Sequence, residues 1–315
     1  MGSGQDPRVT PTQTSGDGIA GTEHDSRSVG PIRAGEKRSK RRRHHAYPTL
    51  LENDIKSPNQ LWCADFKGQF RMANAKYCYP LTVTDFRSRY LLGCEAMEGT
   101  QSASAQQSFE MIFREYGLPR RIRTDNGVPF SSRSVQGLST LSVWWMRLGI
   151  QLERIEPGHP EQNGRHERMH RTLKEEVPPR VCRNLLAQQE QLDRFREDFN
   201  QRRPHEALKM KCPADLYKPS LKRYPERLPE PIYLQHDLVR PVAFNGSVCF
   251  QGKTFYISTA LADQSIGLEE EQDGIWRINF MDLDLGFFDE QTMKFTPISP
   301  EQSDQRLSSS SREHH

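Results

Sequence analysis

Between residues 61 and 202 the hydrophobic and polar positions repeat first with the period of a β-strand and then alternately with that of helix and strand. Trp62, Ala64 and Phe66 occupy every second position of the first segment, which is the spacing of one strand face. The pattern predicts elements in the order β-β-β-α-β-α-β-α, with a further helix, over 61–70, 78–86, 89–97, 101–117, 120–127, 132–148, 150–157, 163–175 and 184–202. A strand meander followed by helical crossovers is a mixed α/β layout.

The flanking regions have a different character. Residues 1–46 are rich in Gly, Ser, Thr and Asp and lack apolar periodicity, which predicts disorder. After the last helix, several prolines precede short apolar runs that Gly, Asn and Asp divide, and this favours a small all-β domain. We therefore expect a disordered N-terminal segment, an α/β core with trailing helices, a proline-rich linker, a small β-barrel-like domain and a disordered tail, at 1–46, 47–217, 218–237, 238–298 and 299–315.

Composition excludes one class of protein and leaves another open. The 315 residues contain no apolar run near the roughly 18–20 residues that a membrane span needs, so we expect no membrane protein. The net charge of +3 argues only weakly against a nucleic-acid binder, because the charge is uneven. Residues 1–46 carry nine Lys and Arg against five acids, whereas 263–304 carry eleven acids against two basic residues.

The six cysteines form no Cys-x-x-Cys pair and no regular disulfide spacing, and no signal peptide opens the chain. These features predict a cytoplasmic location, in a reducing compartment. They also make a structural zinc site at His44 and His45 an unfavourable interpretation.

Three acidic positions stand out because of where the pattern places them. Asp65 lies within the first strand, on the face opposite Trp62 and Phe66, where an unpaired carboxylate is costly. Asp125 follows a strand, and strand ends in α/β sheets are where sites are usually built. The third is a glutamate of the segment PGHPEQNGRHERMHRTLKEE (157–176), an amphipathic helix whose start is marked by Pro160 and Asn163. Carboxylates from separate elements suit Mg²⁺. Each also has a structural alternative: a buried ion pair, a turn and a solvated helix face, respectively.

Three separated segments resemble, in order, the catalytic segments of DDE transposases and retroviral-type integrases: LWCADFKGQF (61–70), TDNG (124–127) and HPEQNGRHERMHRTLKEE (159–176). A fourth, RRPHEALKMKCPADLY (202–217), is similar to the segment that closes this core in bacterial insertion-sequence transposases. The resemblance covers roughly 47–298. It implies a ribonuclease H-like mixed five-stranded sheet with flanking helices, plus a small C-terminal all-β, barrel-like domain.

Two glutamates compete for the third catalytic position. The spacing familiar in this family, thirty-five residues after the second aspartate, leads from Asp125 to Glu161. The motif Pro-x-x-Asn-Gly-x-x-Glu leads instead to Glu167, with forty-one residues between. We favour Glu167, because it lies one turn inside the predicted helix and shares a face with Asn163, His170, Arg171 and Lys174 at helical spacing.

The resemblance implies DNA as substrate, cleaved and then joined to a target, with two Mg²⁺ (or Mn²⁺) ions held by Asp65, Asp125 and Glu167. It also implies a homo-oligomer assembled on DNA. Contacts to the DNA backbone would come from the polar residues of the same helix: Asn163, Arg165, Arg168, Arg171 and Lys174. The equally weighted alternative for the basic set is a solvated helix face paired with Glu175 and Glu176.

Other notable residues favour a structural interpretation. Asp85 falls at a strand end before a turn, and Trp144 and Trp145 occupy a helix that continues with apolar residues, as core side chains do. Among the arginines before Asp125, at least one is expected to balance local acids.

A complete transposase of this kind is expected to carry helix-turn-helix modules before its core, and residues 1–46 contain no such pattern. Two alternatives to the strand-transfer enzyme therefore stay open. One is a catalytically silent, truncated DNA- or partner-binding remnant of a transposase. The other is a ribonuclease H-like nuclease without transfer activity.

Overall fold

The computed structural model describes residues 54–155, 164–177, 182–233 and 236–298. In chain order its strands and helices are β1 (Leu61–Phe66), β2 (Phe70–Arg71), β3 (Tyr77–Cys78), β4 (Leu81–Asp85), β5 (Leu91–Glu95), α1 (Ser102–Tyr116), β6 (Arg121–Thr124), α2 (Thr140–Arg147), β7 (Gln151–Arg154), α3 (Gly164–Glu176), α4 (Leu185–Gln201), β8 (Leu238–Pro241), β9 (Ser247–Phe250), β10 (Lys253–Tyr256), β11 (Ser265–Gln272), β12 (Ile275–Phe280), β13 (Leu283–Asp289) and β14 (Lys294–Pro297).

The first half of the chain forms a mixed five-stranded sheet in the order β5-β4-β1-β6-β7. β1 pairs antiparallel with β4, which pairs antiparallel with β5, while β1–β6 and β6–β7 are parallel. The meander therefore builds one half of the sheet and the helical crossovers build the other. This strand order with helices on both faces is the ribonuclease H-like fold, as the resemblance implied.

Each face of the sheet is covered by one pair of helices. α1 and α2 cover the face that carries Trp62, where the edge of Phe109 meets the Trp145 ring at a centroid distance of 4.8 Å. Trp144 and Trp145 are 8% and 1% exposed, which confirms that both are core residues. On the other face, Met169 of α3 and Leu192 and Phe199 of α4 are among the side chains that pack over β5.

The helix expected over 132–148 begins only at Thr140, so that prediction is wrong in its first half. Two residues explain the late start: Gln136 and Gly137 have φ of 52° and 64°, a left-handed conformation that a helix cannot include. Ser139 then opens the helix with a capping box, in which its hydroxyl accepts from the backbone N–H of Ser142 at 3.1 Å.

The C-terminal region is all-β, as predicted. Five antiparallel strands follow the order β14-β13-β12-β11-β8, and β9 and β10 form a separate hairpin. The region packs on the core through the loop before α2, where the amide of Gln136 donates to the carbonyl oxygens of Asp284 (3.0 Å) and Ile298 (3.3 Å). Part of its acidic excess is balanced internally, because Arg277 pairs with Glu269 and Glu271.

All six cysteines are free thiols. Within the described ranges, every helix is too short or too polar to cross a lipid bilayer.

The contribution of the Ser139 cap to stability can be measured by comparison with α1, whose first residue has no side-chain cap. Ser139→Ala removes the capping hydroxyl and should lower the free energy of unfolding by about 1 kcal/mol. At the start of α1, the side chain of Gln101 makes no capping hydrogen bond, so Gln101→Ala should change it by less than about 0.5 kcal/mol. Urea unfolding measures both, and equal losses would contradict the cap.

Candidate active site

Two of the predicted site residues, Asp65 and Asp125, lie at the ends of neighbouring parallel strands. The β1–β6 register pairs Cys63 with Arg123 and Ala64 with Thr124. One residue further along, Asp65 lies beside Asp125, on strands that are about 4.8 Å apart. Both side chains are half-buried. The pairing therefore brings together two residues that are sixty positions apart in sequence.

The Thr-Asp-Asn-Gly turn fixes the second of these carboxylates. Asp125 Oδ1 accepts from the backbone N–H of Gly127 at 3.0 Å, and the amide of Asn126 donates to the carbonyl oxygen of Ile155 at 3.1 Å. A Cβ at Gly127 would lie 2.9 Å from Asp125 Oδ2, so a side chain there would displace the carboxylate. Each of the three residues after Thr124 thus has a positional role.

A hydrogen-bond network surrounds Asp65 on its other neighbour, β4. Thr82 is the β4 residue opposite Asp65, and its hydroxyl donates to the Asp65 carbonyl oxygen at 3.1 Å. The same hydroxyl lies 2.7 Å from the Nε2 atoms of both His166 and His170 on α3, and Thr84 Oγ1 lies 3.1 Å from His166 Nδ1. One proton assignment satisfies every contact: both histidines donate from Nε2, and His166 Nδ1 accepts from Thr84.

Burial keeps both histidines of this network neutral. Desolvation, followed by the charge of His170, holds the pKa of His166 well below its usual value. Burial, followed by the nearby charge of Lys67, lowers the pKa of His170 to about 3. Neutral imidazoles donate one proton each, as the network around Thr82 requires.

One set of three metal-ligating side chains within the described ranges has its ligand atoms within 4.8 Å of one another: Asp65, His166 and His170. Neither Asp125 nor Glu167 belongs to that set. Glu167 is exposed in the first turn of α3. Glu161 and Asn163 lie outside the described residues.

The basic residues of α3 divide between two flanks of the helix. Arg171 and Lys174 follow Glu167 at i+4 and i+7, and Lys174 lies close enough to Lys67, just beyond β1, to lower its pKa after the larger effect of burial. Arg165 and Arg168 point to the opposite flank, where they line a cavity. The predicted DNA-contacting residues therefore form two groups.

Arg165 is held in place by Phe86, the residue after β4. Its guanidinium carbon lies 4.1 Å from the centre of the Phe86 ring, and its Nη1 donates to the Phe86 carbonyl oxygen at 3.1 Å. Arg123 lies 5.2 Å from the same ring. Arg165 thus anchors the start of α3 to the sheet.

A buried ion cluster lies on the strands that carry the site. Arg123 Nε donates to Glu153 Oε1 at 2.6 Å, and Arg121 Nη1 lies 3.7 Å from Glu153 Oε2, with Glu153 fully buried. The expectation that an arginine before Asp125 balances a local acid is confirmed.

Asp85 is also structural, since its carboxylate accepts from the backbone N–H groups of Asn59 and Ser88, each at 2.7 Å.

Sequence reasoning identified His170 only as a neighbour of Glu167 and did not identify Thr82 or His166. The available signal was the His-x-x-x-His spacing, which places His166 and His170 on one helix face. Thr82 has no local signal, because only the β1–β4 register brings it opposite Asp65.

Comparison with known proteins shows which family this part of the chain matches. Residues 56–160 match one family model and residues 148–213 match a second, and both models describe an integrase core domain. Together the matches run from 56 to 213, half of the 315-residue chain. Residues 56–213 of the chain therefore match the integrase core domain family.

Its relatives come from mobile elements. A 31.7 kDa protein of insertion element IS407 from Burkholderia multivorans is 26% identical over 180 residues, which are 56% of this chain and 62% of that protein. A 39.2 kDa protein of insertion element IS476 from Xanthomonas euvesicatoria is 31% identical over 158 residues, 50% of this chain and 44% of that protein. The Gag-Pol polyprotein of baboon endogenous virus is 33% identical over 118 residues, 38% of this chain and 6% of the polyprotein. The chain thus spans less than two thirds of each of these relatives.

The network around Asp65 predicts a difference between two neighbouring threonines. Thr82→Val leaves two histidine donors and the Asp65 carbonyl oxygen without their shared partner, and should lower the free energy of unfolding by about 3 kcal/mol. Thr84→Val removes one contact to His166 and should lower it by about 1 kcal/mol. Both changes preserve side-chain shape. Denaturant unfolding at neutral pH gives the comparison, and a Thr84 variant that is as unstable as the Thr82 variant would contradict this network.

Proposed function

We propose that this protein is a transposase or integrase that cuts DNA strands and transfers them to a target. The observation that supports this most directly is the parallel register of β1 and β6, which continues by one residue to Asp65 and Asp125, while α3, which carries Glu167, bonds to the neighbouring strand β4 through His166 and His170. The insertion-element and retroviral relatives agree with this chemistry. DNA ends and a target DNA are the proposed partners, bound by a homo-oligomer, with no role for a membrane.

The donor atoms of this site fit a hard divalent cation. Asp65, Asp125 and Glu167 offer carboxylate oxygens, the ligands that Mg²⁺ prefers and Mn²⁺ accepts. Two such ions, when bound, would activate a water or a 3′-hydroxyl and stabilise the leaving 3′-oxygen. His166 and His170 already bond Thr82, so they support the Asp65 strand and leave its carboxylate to the cation.

The remaining task of the chain is to position the DNA. Arg171 and Lys174 lie on the Glu167 flank of α3 and would contact phosphates on either side of the cleaved bond, with Asn163 extending this row by sequence spacing. Arg165 and Arg168 would contact DNA from the other flank. These contacts set the register of the scissile phosphodiester without reading base sequence. In cleavage, water bonds to the phosphorus as the bond to the 3′-oxygen breaks. In transfer, the freed 3′-hydroxyl bonds to a target phosphorus, which loses its own 3′-oxygen, with no covalent link to the protein.

A catalytically silent DNA- or partner-binding protein is the alternative function. The observation that favours it is the exposed position of Glu167, outside the set of ligand atoms around Asp65. Such a protein would retain DNA affinity and show no metal-dependent cleavage with any end sequence. Cleavage without transfer would instead indicate a ribonuclease H-like nuclease.

The proposal predicts loss of activity when a carboxylate becomes an amide. Asp125→Asn and Glu167→Gln should each lower Mg²⁺- or Mn²⁺-dependent nicking and strand transfer at least about 100-fold, because an amide cannot balance the cation charge. Glu161→Gln is the matched control and should keep activity. The assay is gel analysis of labelled DNA ends with a plasmid target. Activity that survives Asp125→Asn would overturn the mechanism. Loss of activity with Glu161→Gln but not with Glu167→Gln would identify Glu161 as the third metal ligand.

A further inference from the structure

A cavity of about 620 Å³ lies on the flank of α3 that faces away from Glu167. Its walls are α3, the turn after β4, the end of α4 and the segment that follows α4. It lies at the far end of β1 from the proposed catalytic carboxylates. Asp85 at its edge pairs with Trp62, whereas Asp65 pairs with Thr82, a separation of about 10 Å along the strand. The cavity therefore lies apart from those carboxylates, although it shares Thr84 and His166 with the network around Asp65.

Cationic side chains dominate the wall of this cavity: Arg89, Arg165, Arg168 and Arg203. Two acids line it, Asp85 and Glu206, and Glu176 pairs with Arg203, so three acids stand against the four arginines. The carboxylate of Asp85 already accepts hydrogen bonds from two backbone N–H groups and, at 2.6 Å, from the Ser88 hydroxyl. A positive excess in a recess of this kind attracts an anion.

His205 adds a polar atom that lacks a partner. Its Nε2 is buried and makes no hydrogen bond to any residue that the structure describes. The ring stacks edge-on against Phe199 at 5.0 Å, so it cannot easily turn away. Burial, followed by the charges of Arg89 and Arg203, lowers the pKa of His205. An anion in the cavity would accept a hydrogen bond from this ring.

We propose that this cavity binds a phosphate group of the DNA backbone, with Arg168 and His205 as the direct ligands. Arg89 also lines the cavity, as does Arg203, whose charge Glu176 balances. Guanidinium groups match the geometry of phosphate oxygens better than any other side chain does. The volume falls within the range of ligand sites and admits a sugar-phosphate unit as well as a single anion. The assignment of the phosphate to DNA rests on the proposed function. The prediction that the cavity binds phosphate does not depend on it.

The consequence is a helix that contacts phosphates on both sides. Arg171 and Lys174 serve the catalytic flank, while Arg168 serves the cavity. DNA held at both flanks would be oriented across α3 as well as positioned at the cleavage point. The closing segment 202–217 then has a ligand-binding role in addition to packing, because it supplies Arg203 and His205.

The test uses the full chain labelled at its histidines, with the His205 NMR signal assigned through His205→Gln. Inorganic phosphate, without metal or DNA, should shift this signal saturably. Arg168→Gln should weaken the apparent Kd at least about 10-fold, since a charge-assisted hydrogen bond is lost. Arg171→Gln, which changes an exposed arginine on the opposite flank, should leave it unchanged. Absence of a shift at millimolar phosphate, or equal loss in both variants, would overturn the site.

A second arm identifies the source of the phosphate. Saturating duplex DNA should abolish the response of His205 to inorganic phosphate, because the backbone then fills the cavity. A response that persists on DNA-bound protein would overturn the DNA assignment and indicate a free phosphorylated molecule. Asp125→Asn should keep the phosphate response whatever its activity, so failure of this site and failure of the strand-transfer proposal give different results.

Discussion

The parallel pairing of β1 with β6 is the constraint on which the rest of the site depends. Parallel neighbours must run in the same direction, so the chain has to cross over through a helix before the second strand can begin. That crossover puts Asp65 and Asp125 at the same edge of the sheet. It also places Arg121 and Arg123 beside β7, where both form ion pairs with the buried Glu153. A buried cluster of this kind is costly to break, since removing one partner leaves an unpaired charge.

The second constraint is the way α3 sits on the sheet. His166, Met169, His170 and Leu173 define the face that contacts the strands and α4, and this face leaves the two flanks to charged residues. Because the histidines bond to Thr82 and Thr84, the rotation of the helix is set by hydrogen bonds as well as by apolar packing. Glu167 and Arg168, though adjacent in sequence, are thereby directed to opposite sides. One helix can serve a catalytic edge and an anion site for this reason.

Much of the fold followed from local pattern. The alternation of apolar and polar residues predicted β1. Helical spacing predicted α1, and Gly117 predicted where it ends. The Asp-Asn-Gly turn marked the strand end that bears Asp125. The predicted helix at 132–148 was too long because Gln136 adopts a left-handed backbone conformation that its residue type does not suggest. Thr82, His205 and Glu153 acquire their roles only through contacts between residues distant in sequence. No local pattern encodes such contacts, so the hydrogen-bond network, the buried ion cluster and the cavity were not predicted.

The central claim is that Asp65 and Asp125 share a cation, and metal location tests it most directly. Crystals of the protein soaked in Mn²⁺ and measured at the manganese absorption edge would give the ion position from anomalous scattering. We predict density between the carboxylates of Asp65 and Asp125, with Glu167 turned towards it. Density bound by Asp65 together with His166 and His170, with Asp125 left apart, would rule out a shared cation and assign the chain a different metal site.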